Sequence, residues 1–589
     1  MADPTNSEIA AAFDELGDLY ELDGAIIHRV VAYRNAAKVV RDASSSVAAL
    51  TRAGRVTEMA GIGGTLETKI QALLETGDIP AAQRLRAKFP AGLLEMTSLP
   101  GLGPRRARRL YEELGIDSLQ ALETAARQQR IRDLRGFGAR GEDNILAAIA
   151  RATADAEAGN GGRVVLDRAL GIADEIVAAL RAHEASERVE LAGSARRMAD
   201  SVKDLDIIAT ASDPRALADA FAALDLVESV AGLGDAGARV RTHTGVSVDL
   251  KIVAPDQFGN LLQHFTGSRQ HNVALREAAV RRGLHVSEYG VLDDATGESL
   301  RCATEEEVYA ALGYAYIEPE LRENRGELEA ASLDGGAGLP RLVTVNDLRG
   351  DLHCHTVASD GTAEVEQMAE AAIALGYEYL AITDHSASHG FGDDVSPAQL
   401  ELQIERIQAA NLAFPEIELL AGSEVNILPD GALDYPDELL ARLDWVIASV
   451  HSSFRMDERA MTDRMVAAIE HPWVDAIGHP TGRKIEQRTP YDVDVERLIE
   501  AAARTGTMLE INASPNRRDL NDVHARAAAR AGVPILIDSD AHRTSTLATA
   551  RRYGVGTARR AWLTAEQVAN TRPWSDFSKL RKRERSRAR

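Results

Sequence analysis

The chain is poor in cysteine, with only Cys302 and Cys354 among its 589 residues. Two cysteines cannot supply the disulfide framework of a small secreted domain, so the core must depend on apolar packing. The N-terminus lacks the basic and apolar regions of a signal peptide, and no uncharged apolar run approaches the ~18 residues that a membrane span needs. We therefore expect a soluble, cytoplasmic protein that has no membrane partner.

Positive charge is also in deficit. The chain has 67 Lys and Arg residues against 90 Asp and Glu residues, which gives a formal net charge of −23. This balance argues against a general coat of positive charge for gripping nucleic acid or an anionic membrane. The apolar fraction of 45% excludes wholesale disorder. At roughly 150 residues per domain, the length predicts about four domains.

Residues 1–150 show the apolar spacing of helices, and a Gly-x-Gly turn recurs three times between helical stretches. The copies are Gly61-Ile62-Gly63, Gly101-Leu102-Gly103 and Gly136-Phe137-Gly138, which begin 40 and 35 residues apart. One such turn is an ordinary helix connection, but bare amides at a glycine turn can also approach a DNA phosphate. The three copies resemble helix–hairpin–helix motifs. They predict DNA contacts at Gly61, Gly63, Gly101, Gly103, Arg105 and Arg106.

The β-rich runs between 164 and 255 carry three notable aspartates. Asp204 and Asp206 lie at i and i+2 of a predicted strand, so both side chains project from one face. Adjacent carboxylates repel one another unless a cation lies between them, and Asp249 in a later run can complete a cluster. Three carboxylates suit one or two Mg²⁺ ions, which hold a triphosphate and promote attack by a 3′ hydroxyl.

The ordered set of Gly193-Ser194, Asp204-Leu205-Asp206, Asp249 and His264-Phe265-Thr266-Gly267-Ser268 resembles the nucleotidyltransferase palm of the family X DNA polymerases. The resemblance implies that Asp204, Asp206 and Asp249 are catalytic and ligate Mg²⁺ or Mn²⁺. It implies nucleotide contacts for Gly193, Ser194, Arg197, Phe265, Gly267 and Asn272. His264 stands where vertebrate members have tyrosine, and Ser247 replaces an arginine. The histidine bears on how the sugar of the nucleotide is discriminated, and the serine bears on how the primer end is held.

The same resemblance extends to residues 61–77, which are similar to the small lyase domain of that family. A lysine of that domain attacks the sugar aldehyde of an abasic nucleotide, and Lys69 aligns with it. Such a lysine must be neutral, which requires partial burial or a nearby positive charge. The alternative is a solvated helix lysine. Some phosphate-binding basic residues of that domain are missing here, since Thr65 stands where a lysine would.

From residue 348 onward, seven apolar runs end in polar residues. They are 348–355, 378–385, 418–424, 445–451, 475–479, 508–512 and 534–542. Helical stretches between most of them predict a parallel sheet, most simply a barrel with its chemistry at the C-terminal strand ends. The potential ligands at this level are His353, His355, Asp360, His385, Glu424, His451, His479, Asp540 and His542. One histidine there is usually a packed core residue, but this set predicts up to three Zn²⁺, Mn²⁺ or Fe²⁺ ions.

The motifs His353-Cys354-His355, Asp384-His385, Gly478-His479 and Asp540-Ala541-His542 resemble the PHP (polymerase and histidinol phosphatase) domain. That family has a distorted (β/α)7 barrel and is a metal-dependent phosphoesterase. The resemblance implies three ligand sets. They are His353, His355, Glu424 and Asp540; then Glu424, His451 and His479; then Asp360, His385 and His542.

The resemblances predict a multidomain chain. Its parts are a helical helix–hairpin–helix, lyase-like domain (1–85), helical helix–hairpin–helix fingers (86–160), an α+β nucleotidyltransferase palm (161–255), a thumb (256–325), a linker (326–347), the PHP barrel (348–575) and a basic tail (576–589), whose last eleven residues (579–589) are expected to be mobile. This order resembles the bacterial and archaeal family X polymerases. It implies gap-filling repair synthesis with 3′–5′ exonuclease or 3′-end phosphoesterase activity, and incision at abasic sites. The expected partners are gapped or nicked duplex DNA and deoxynucleoside triphosphates, bound by a monomer.

Three alternatives remain: a polymerase with a structural PHP domain, a dedicated 3′-end nuclease with an inactive palm, and a DNA-binding scaffold. The retained ligands at both sites argue against all three. The net charge of −23 is compatible with a DNA partner, because hairpin amides, the arginines at 105–109, the basic tail and bound cations attract phosphate locally. The excess negative charge predicts modest, salt-sensitive affinity.

Overall fold

A computed structural model describes residues 3–97, 99, 102–134, 136–157, 163–390, 394–582 and 584. The chain divides into two units. The first contains Met1–Val164, Gly171–Glu190 and Lys203–Val253, and the second contains Val165–Leu170, Leu191–Val202 and Ala254–Arg589. No helix within the described residues is both long enough and apolar enough to span a bilayer.

The N-terminal part of the first unit is helical, as predicted. Its helices are α1 (Asn6–Leu22), α2 (Ile27–Asp42), α3 (Val47–Arg52), α4 (Gly64–Thr76), α5 (Pro80–Arg86), α6 (Ala91–Thr97), α7 (Pro104–Leu114), α8 (Leu119–Arg127) and α9 (Gly138–Glu157). Thr5 and Glu8 form a capping box at the start of α1. The helices pack around two apolar cores, one centred on α1, α2 and α4 and the other on α6 to α9.

A five-stranded sheet follows in the first unit. The chain from 164 to 252 forms β1 (Val164–Val165), α10 (Leu166–Arg181), β2 (Ser186–Leu191), α11 (Gly193–Arg196), β3 (Ser201–Val202), β4 (Asp204–Ala211), α12 (Pro214–Ala222), β5 (Val227–Gly234), β6 (Gly237–Thr242) and β7 (Ser247–Ile252). The strand order is β2-β4-β7-β6-β5, with β4 parallel to β7. Leu205 lies between the two aspartates of β4, and Ile207 and Ile208 follow them. All three are buried and anchor the strand in the core.

The second unit includes α11 and β3 and continues from Ala254 with a small α+β region at the position of the predicted thumb. It contains α13 (Phe258–Thr266), α14 (Arg269–Val280), β8 (Leu284–Ser287), β9 (Gly290–Asp293), β10 (Ser299–Leu300), α15 (Glu305–Ala311) and α16 (Glu327–Ala331). The three strands form an antiparallel sheet in the order β10-β9-β8. Buried His271 joins two of the helices to α14, because its ring nitrogens lie 2.7 Å from Glu327 and 3.0 Å from the Tyr309 hydroxyl.

All seven predicted strands of the barrel are confirmed. They are β11 (Gly350–Cys354), β12 (Tyr379–Ile382), β13 (Glu418–Asn426), β14 (Trp445–Ser449), β15 (Ala476–Ile477), β16 (Met508–Asn512) and β17 (Ile535–Asp538). Each pairs in parallel with the next in sequence. The ring is nearly closed between its first and last strands, because the His355 amide donates to the Ala541 carbonyl at 2.8 Å and the Leu352 amide donates to the Asp538 carboxylate at 2.9 Å.

Helices cover the barrel. They are α17 (Val365–Ala374), α18 (Pro397–Ala413), α19 (Asp437–Leu440), α20 (Glu458–Glu470), α21 (Val495–Thr505), α22 (Asp522–Arg530), α23 (Thr544–Arg560) and α24 (Trp574–Phe577). Short 3₁₀ turns lie at Val56–Glu58, Pro255–Gln257, Pro319–Leu321, Val345–Asp347, Ala565–Gln567, Ala569–Thr571 and Ser578–Leu580. Both faces of the strands are therefore buried, which explains why the strand sequences are almost continuously apolar.

The expectation of a mobile end to the basic tail is wrong for its first residues. Phe577 is fully buried, with its ring 4.9 Å from that of Tyr379. Lys582 is also buried, and its Nζ donates to the carbonyls of Ile469 at 2.7 Å and His471 at 2.9 Å. A cation at the end of α20 satisfies carbonyls that have no partner within the helix. Residues 583 and 585–589 of the predicted tail lie outside the described residues.

Candidate metal centres and nucleic-acid contacts

The nine predicted barrel ligands come together at the C-terminal ends of the strands, around the carboxylate of Glu424. Glu424 lies in β13 and is buried. Its oxygens lie 2.8 Å from Nε2 of His479, 2.9 Å from Nδ1 of His385, 3.1 Å from Nε2 of His451, 3.4 Å from Nε2 of His353 and 3.6 Å from Nε2 of His355. One carboxylate surrounded by five imidazoles is well placed to bridge metal ions.

The ligand atoms fall into three candidate metal-binding groups, and the atoms within each group lie within 4.8 Å of one another. The groups are His355, Asp360, His385 and His542; then His353, His355 and Asp540; then His385, Glu424 and His451. This grouping differs from the predicted sets, since Glu424 falls in one group only and His479 falls in none of the three. His355 and His385 are each shared between two groups, and His479 contributes through its 2.8 Å contact with Glu424.

The buried nitrogen atoms of this cluster fit a metal. Nε2 of His353, Nδ1 of His385 and both ring nitrogens of His355 and His451 are buried and lack a hydrogen-bond partner among the described residues. A buried polar atom without a partner costs about 1–3 kcal/mol. Imidazole nitrogens beside carboxylates are ligands that Zn²⁺, Mn²⁺ and Fe²⁺ accept, so bound ions would satisfy these atoms.

Charge within the cluster divides the histidines into two kinds. Burial, reinforced by the charge of His385, lowers the pKa of His355 to about 4, and burial with the charge of Arg517 lowers the pKa of His479 to about 3. Burial opposes the charged form of His385 as well, but Glu424 and Asp360 outweigh it and raise its pKa to about 10. The neutral imidazoles of His355 and His479 can ligate a metal directly. His385 carries a proton, which it must release before that ring nitrogen can bind a cation.

Three residues that sequence reasoning did not select support these ligands. Glu510 accepts from the His479 amide at 2.6 Å, and its other oxygen lies 2.7 Å from Nδ1 of His353. Asp540 accepts from Asn512 at 3.0 Å and lies 3.4 Å from Nε of Arg517. Such contacts fix the orientation of metal ligands. A charged residue inside the apolar run 508–512 was the signal that could have identified Glu510.

The palm aspartates lie on two neighbouring strands that pair in parallel. Asp206 of β4 stands directly opposite Asp249 of β7 in the register. Burial and the nearby charges of Asp204 and Asp249 raise the pKa of Asp206 to about 6. Mutual repulsion of this kind favours a bound cation.

Arg239 is a residue of this cluster that the sequence analysis missed. It lies opposite Asp249 on β6, and its Nε and Nη2 contact the two carboxylate oxygens at 2.6 and 2.9 Å. Neither β5 nor β6 was predicted: most side chains of β5 are exposed, and β6 is short although its side chains alternate in burial. Arg239 neutralises part of the negative charge of the cluster.

The predicted nucleotide-binding residues belong to the second unit. Gly193 and Ser194 lie in α11, and Arg197 follows it. The Arg197 guanidinium donates to the Thr266 carbonyl at 2.9 Å and to Glu323 at 3.0 Å. This contact places Arg197 beside the end of α13, which carries Phe265.

Asn272 and Gly267 are packed against each other at the junction of α13 and α14. The Asn272 amide donates to the His264 carbonyl at 2.7 Å. A Cβ atom at Gly267 would lie only 2.3 Å from Oδ1 of Asn272, so a larger residue there would displace the asparagine. The structure therefore brings together Arg197, Phe265, Gly267 and Asn272, while Asp204, Asp206 and Asp249 belong to the first unit.

Four family models match the chain. They are a helix-hairpin-helix domain over residues 4–79, a SAM-like helix-hairpin-helix tandem over 93–151, a DNA polymerase beta thumb over 261–323 and a PHP domain over 351–514. These matches confirm the predicted order of helical hairpins, thumb and PHP barrel.

Relatives match both the whole chain and its last third. The DNA polymerase/3′-5′ exonuclease PolX of Bacillus subtilis (strain 168) is 36% identical over 578 residues, which cover 98% of this chain and 99% of that protein. The chain belongs to the family X DNA polymerases with a PHP domain. A probable phosphatase of Caldanaerobacter subterraneus subsp. tengcongensis is 34% identical over 33% of the chain and 75% of its own length. A probable phosphatase of Acetivibrio thermocellus is 31% identical over 33% of the chain and 78% of its own length.

In this family X polymerase, the PHP match ends before the last two barrel ligands. Asp540 and His542 lie beyond residue 514, where the match stops. The structure nevertheless places both in the candidate groups, because they follow β17, which closes the barrel against β11. The thumb match includes Phe265, Gly267, Asn272 and Glu323.

The glycine turns of this polymerase share one design. The middle residue of each turn, Ile62, Leu102 or Phe137, is buried. Gly63 and Gly103 are exposed N-caps of α4 and α7. An apolar anchor with exposed glycines on its flanks presents backbone amides to solvent, as phosphate contact requires. Gly101 lies outside the described residues.

The two predicted DNA-binding arginines differ in their surroundings. Arg105 has 72% of its side chain exposed and lies 3.4 Å from Glu21. Arg106 donates to the Gly136 carbonyl at 3.1 Å and stacks 4.4 Å above the Phe137 ring, so it joins the second turn to the third. Arg105 is the more accessible of the two to a phosphate.

Lys69 lies on α4 in a partly buried position. Its Nζ is 5.8 Å from the centre of the Tyr33 ring. Burial lowers the pKa of Lys69, and the charges of Arg84 and Arg29 lower it further. Both conditions for a nucleophilic lysine, partial burial and nearby positive charge, are therefore met.

Proposed function

We propose that this polymerase fills short gaps in duplex DNA at its palm and thumb, and removes 3′-terminal nucleotides at its PHP barrel. The observation that carries the proposal is the retention of two complete, separate ligand sets in one chain. One set is the carboxylate cluster with Asp206 opposite Asp249, and the other is the group around Glu424. Identity with the polymerase/exonuclease PolX over almost the whole chain supports the same conclusion.

At the palm, Asp204, Asp206 and Asp249 would hold Mg²⁺ or Mn²⁺. Ions bound there would supply charge stabilisation for transfer of a nucleotide to the primer 3′ hydroxyl. Ser194 and Arg197 would contact the phosphates of the incoming nucleotide. Phe265, Gly267 and Asn272 would line its sugar and base, and Gly193 would allow the close approach of the backbone.

At the barrel, the ligands around Glu424 would hold up to three Mn²⁺, Zn²⁺ or Fe²⁺ ions. Ions bound there would supply Lewis acidity for phosphodiester hydrolysis. Glu510 holds the ring of His353 and the backbone of His479 in place. The guanidinium of Arg517, 3.4 Å from Asp540, puts a positive charge where a backbone phosphate would enter.

The substrate we infer is gapped or nicked duplex DNA together with deoxynucleoside triphosphates, bound by a monomer. The helical hairpins would contact the DNA backbone through the amides at Gly61, Gly63, Gly101 and Gly103 and through Arg105 and Arg106. Such contacts read phosphate and not sequence. Because contacts to phosphate release counterions, binding should weaken as salt is raised, and the net charge of −23 limits the affinity.

The experiment uses a primer, labelled at its 5′ end, on a duplex with a one-nucleotide gap, in Mn²⁺. We expect extension by one nucleotide when the complementary triphosphate is present and progressive shortening when it is absent. Extension without shortening would identify the barrel as structural. Shortening without extension would identify a dedicated nuclease, and neither product would contradict the proposal.

Lys69 supports a second activity, removal of a 5′ abasic sugar. Its Nζ would add to the sugar C1′ aldehyde and lose water, giving an imine that borohydride reduces to a stable amine. We expect wild-type protein to be trapped on gapped DNA with a 5′-deoxyribose phosphate, and Lys69→Ala to lose the trapped band on a denaturing gel.

Lys38→Ala is the matched control, because Lys38 is an exposed lysine of the same helical region. It should be trapped as efficiently as the wild type. Equal trapping of Lys69→Ala and wild type would assign the attack to another amine.

A further inference from the structure

The segment that follows the nucleotide-binding helix α11 is held by the PHP barrel. Three consecutive carbonyls accept hydrogen bonds from barrel arginines. Arg560 donates to the Arg197 carbonyl at 2.9 Å, and Arg518 donates to the carbonyls of Met198 at 2.7 Å and Ala199 at 2.9 Å. All of these residues belong to the second unit. These carbonyls lie just beyond the four-residue helix α11, so the backbone that leaves the helix is held by the barrel.

Arg518 is the central residue of this contact. It lies in the loop after β16 and is fully buried. Its third hydrogen bond, from Nε to the Thr557 hydroxyl at 2.8 Å, fixes the guanidinium to α23 of the barrel. A planar guanidinium held at three points fixes the direction of both carbonyl contacts, whereas the donors of a lysine ammonium rotate freely.

The contact reaches Ser194 through one peptide unit. The Ala199 amide donates to the Ser194 carbonyl at 3.0 Å, while the Ala199 carbonyl accepts from Arg518. Met198 between them has φ of +57°, a left-handed conformation that a non-glycine residue adopts only when its surroundings hold it there. The Met198 side chain packs on Gly556, where an added Cβ would come within 2.5 Å of Cε.

A second pair of barrel residues holds the end of the same segment. Arg483 contacts Asp200 at 2.7 Å, and the Ser201 hydroxyl donates to Glu486 at 2.9 Å. Arg483 also donates to the Arg518 carbonyl. The loops after β15 and β16 therefore form one support for residues 197–201, and Asp204 follows only four residues after Asp200 in the sequence.

We propose that Arg518 is a positioning residue for the polymerase reaction, because it holds the segment that carries Ser194 and Arg197 in register for the nucleotide phosphates. The inference rests on the proposed function, in which these two residues contact the incoming triphosphate. The barrel thus takes part in nucleotide binding as well as in hydrolysis. Arg483, through Asp200, supports the same segment from the opposite end.

The test measures kcat and KM for the complementary deoxynucleoside triphosphate on the one-nucleotide-gapped duplex. Loss of hydrogen bonds from a buried guanidinium should raise this KM by roughly tenfold or more in Arg518→Met. We expect kcat to fall by a smaller factor, because the reacting groups are untouched. Arg518→Lys should give a KM between those of wild type and Arg518→Met, since the ammonium keeps the charge but lacks the Nε donor that fixes the side chain to Thr557.

Arg464→Met is the matched control. Arg464 is a buried arginine of the same barrel that donates to the backbone carbonyls of Ile427 and Ser452. It should lose thermal stability without a change in the nucleotide KM. An equal rise in KM for both methionine variants would overturn the proposal, because it would indicate a general loosening of the barrel.

Asp200→Asn and Arg483→Gln keep the proposal testable if Arg518→Met fails to fold, since both residues are partly exposed. Each should raise the nucleotide KM, and the double variant should add little to either, as expected for one coupled pair. The inference would be contradicted if Asp200→Asn kept the wild-type nucleotide KM and Arg518→Met, folded and still able to shorten 3′ ends, kept it too. A wild type that does not extend the primer would contradict the proposed function instead.

Discussion

Replacement of Glu424 by glutamine should abolish 3′-end shortening while leaving gap filling intact. Glu424 contacts more of the barrel histidines than the other described carboxylates do, with His479 at 2.8 Å and His385 at 2.9 Å. Burial opposes its charge, but His451, His353 and His385 hold its pKa well below the ordinary value, so it is ionised. The amide keeps the shape and removes the charge that bridging ions need.

The expected loss is about a thousandfold in the rate of shortening, because a metal contributes several kcal/mol and each 1.4 kcal/mol is about tenfold in rate. The measurements are the shortening of a labelled 3′ end and the metal content of the purified protein. Glu418→Gln is the matched control, since Glu418 begins the same strand and is exposed. If Glu424→Gln shortened 3′ ends at the wild-type rate, the Glu424 carboxylate would not belong to the metal centre.

Replacement of Asp206 by asparagine should have the opposite effect. Extension should fall by about a thousandfold, on the same reasoning, while shortening continues at the barrel. Asp206 is partly buried and lies opposite Asp249, so its carboxylate is central to the palm cluster. Asp225→Asn, an exposed aspartate before β5, is the control that should extend normally.

The pKa of Asp206 gives this prediction a pH dependence. Burial and the charges of Asp204 and Asp249 raise it to about 6, so the carboxyl is protonated below that pH and a cation must displace the proton. The Mg²⁺ concentration for half-maximal extension should therefore rise about tenfold per pH unit below pH 6 and level off above it. A Mg²⁺ requirement that stays flat over about one pH unit on each side of that pKa would contradict the assignment.

The sequence could predict the barrel because its strands are buried on both faces and end in charged residues. The run ending at His451, for example, is apolar apart from Ser449 until its ligand appears. The spacing of apolar residues and the polar residues at strand ends are local features, so they can be read directly from the sequence. For the same reason, the two-residue spacing of Asp204 and Asp206 was enough to place both on one face of a strand.

Contacts between distant segments could not be predicted in this way. Arg239 reaches Asp249 only because β6 and β7 pair, and nothing near Arg239 in the sequence points to a carboxylate. The sharing of His355 and His385 between groups depends on side-chain directions that spacing does not encode. Lys582 lies in a run of basic residues that is typical of a solvated tail, yet tertiary packing buries it.

The buried Phe577 has a consequence for the way in which DNA can reach the barrel. Its ring lies against Tyr379 and Trp445, the first residues of β12 and β14, and so at the end of the barrel opposite the metal ligands. Phe577 therefore closes the end of the barrel opposite the metal ligands, and DNA would approach these ligands from the C-terminal ends of the strands. The interior of the barrel is a packed core, so a 3′ terminus would lie across the open end of the barrel and would not pass through it.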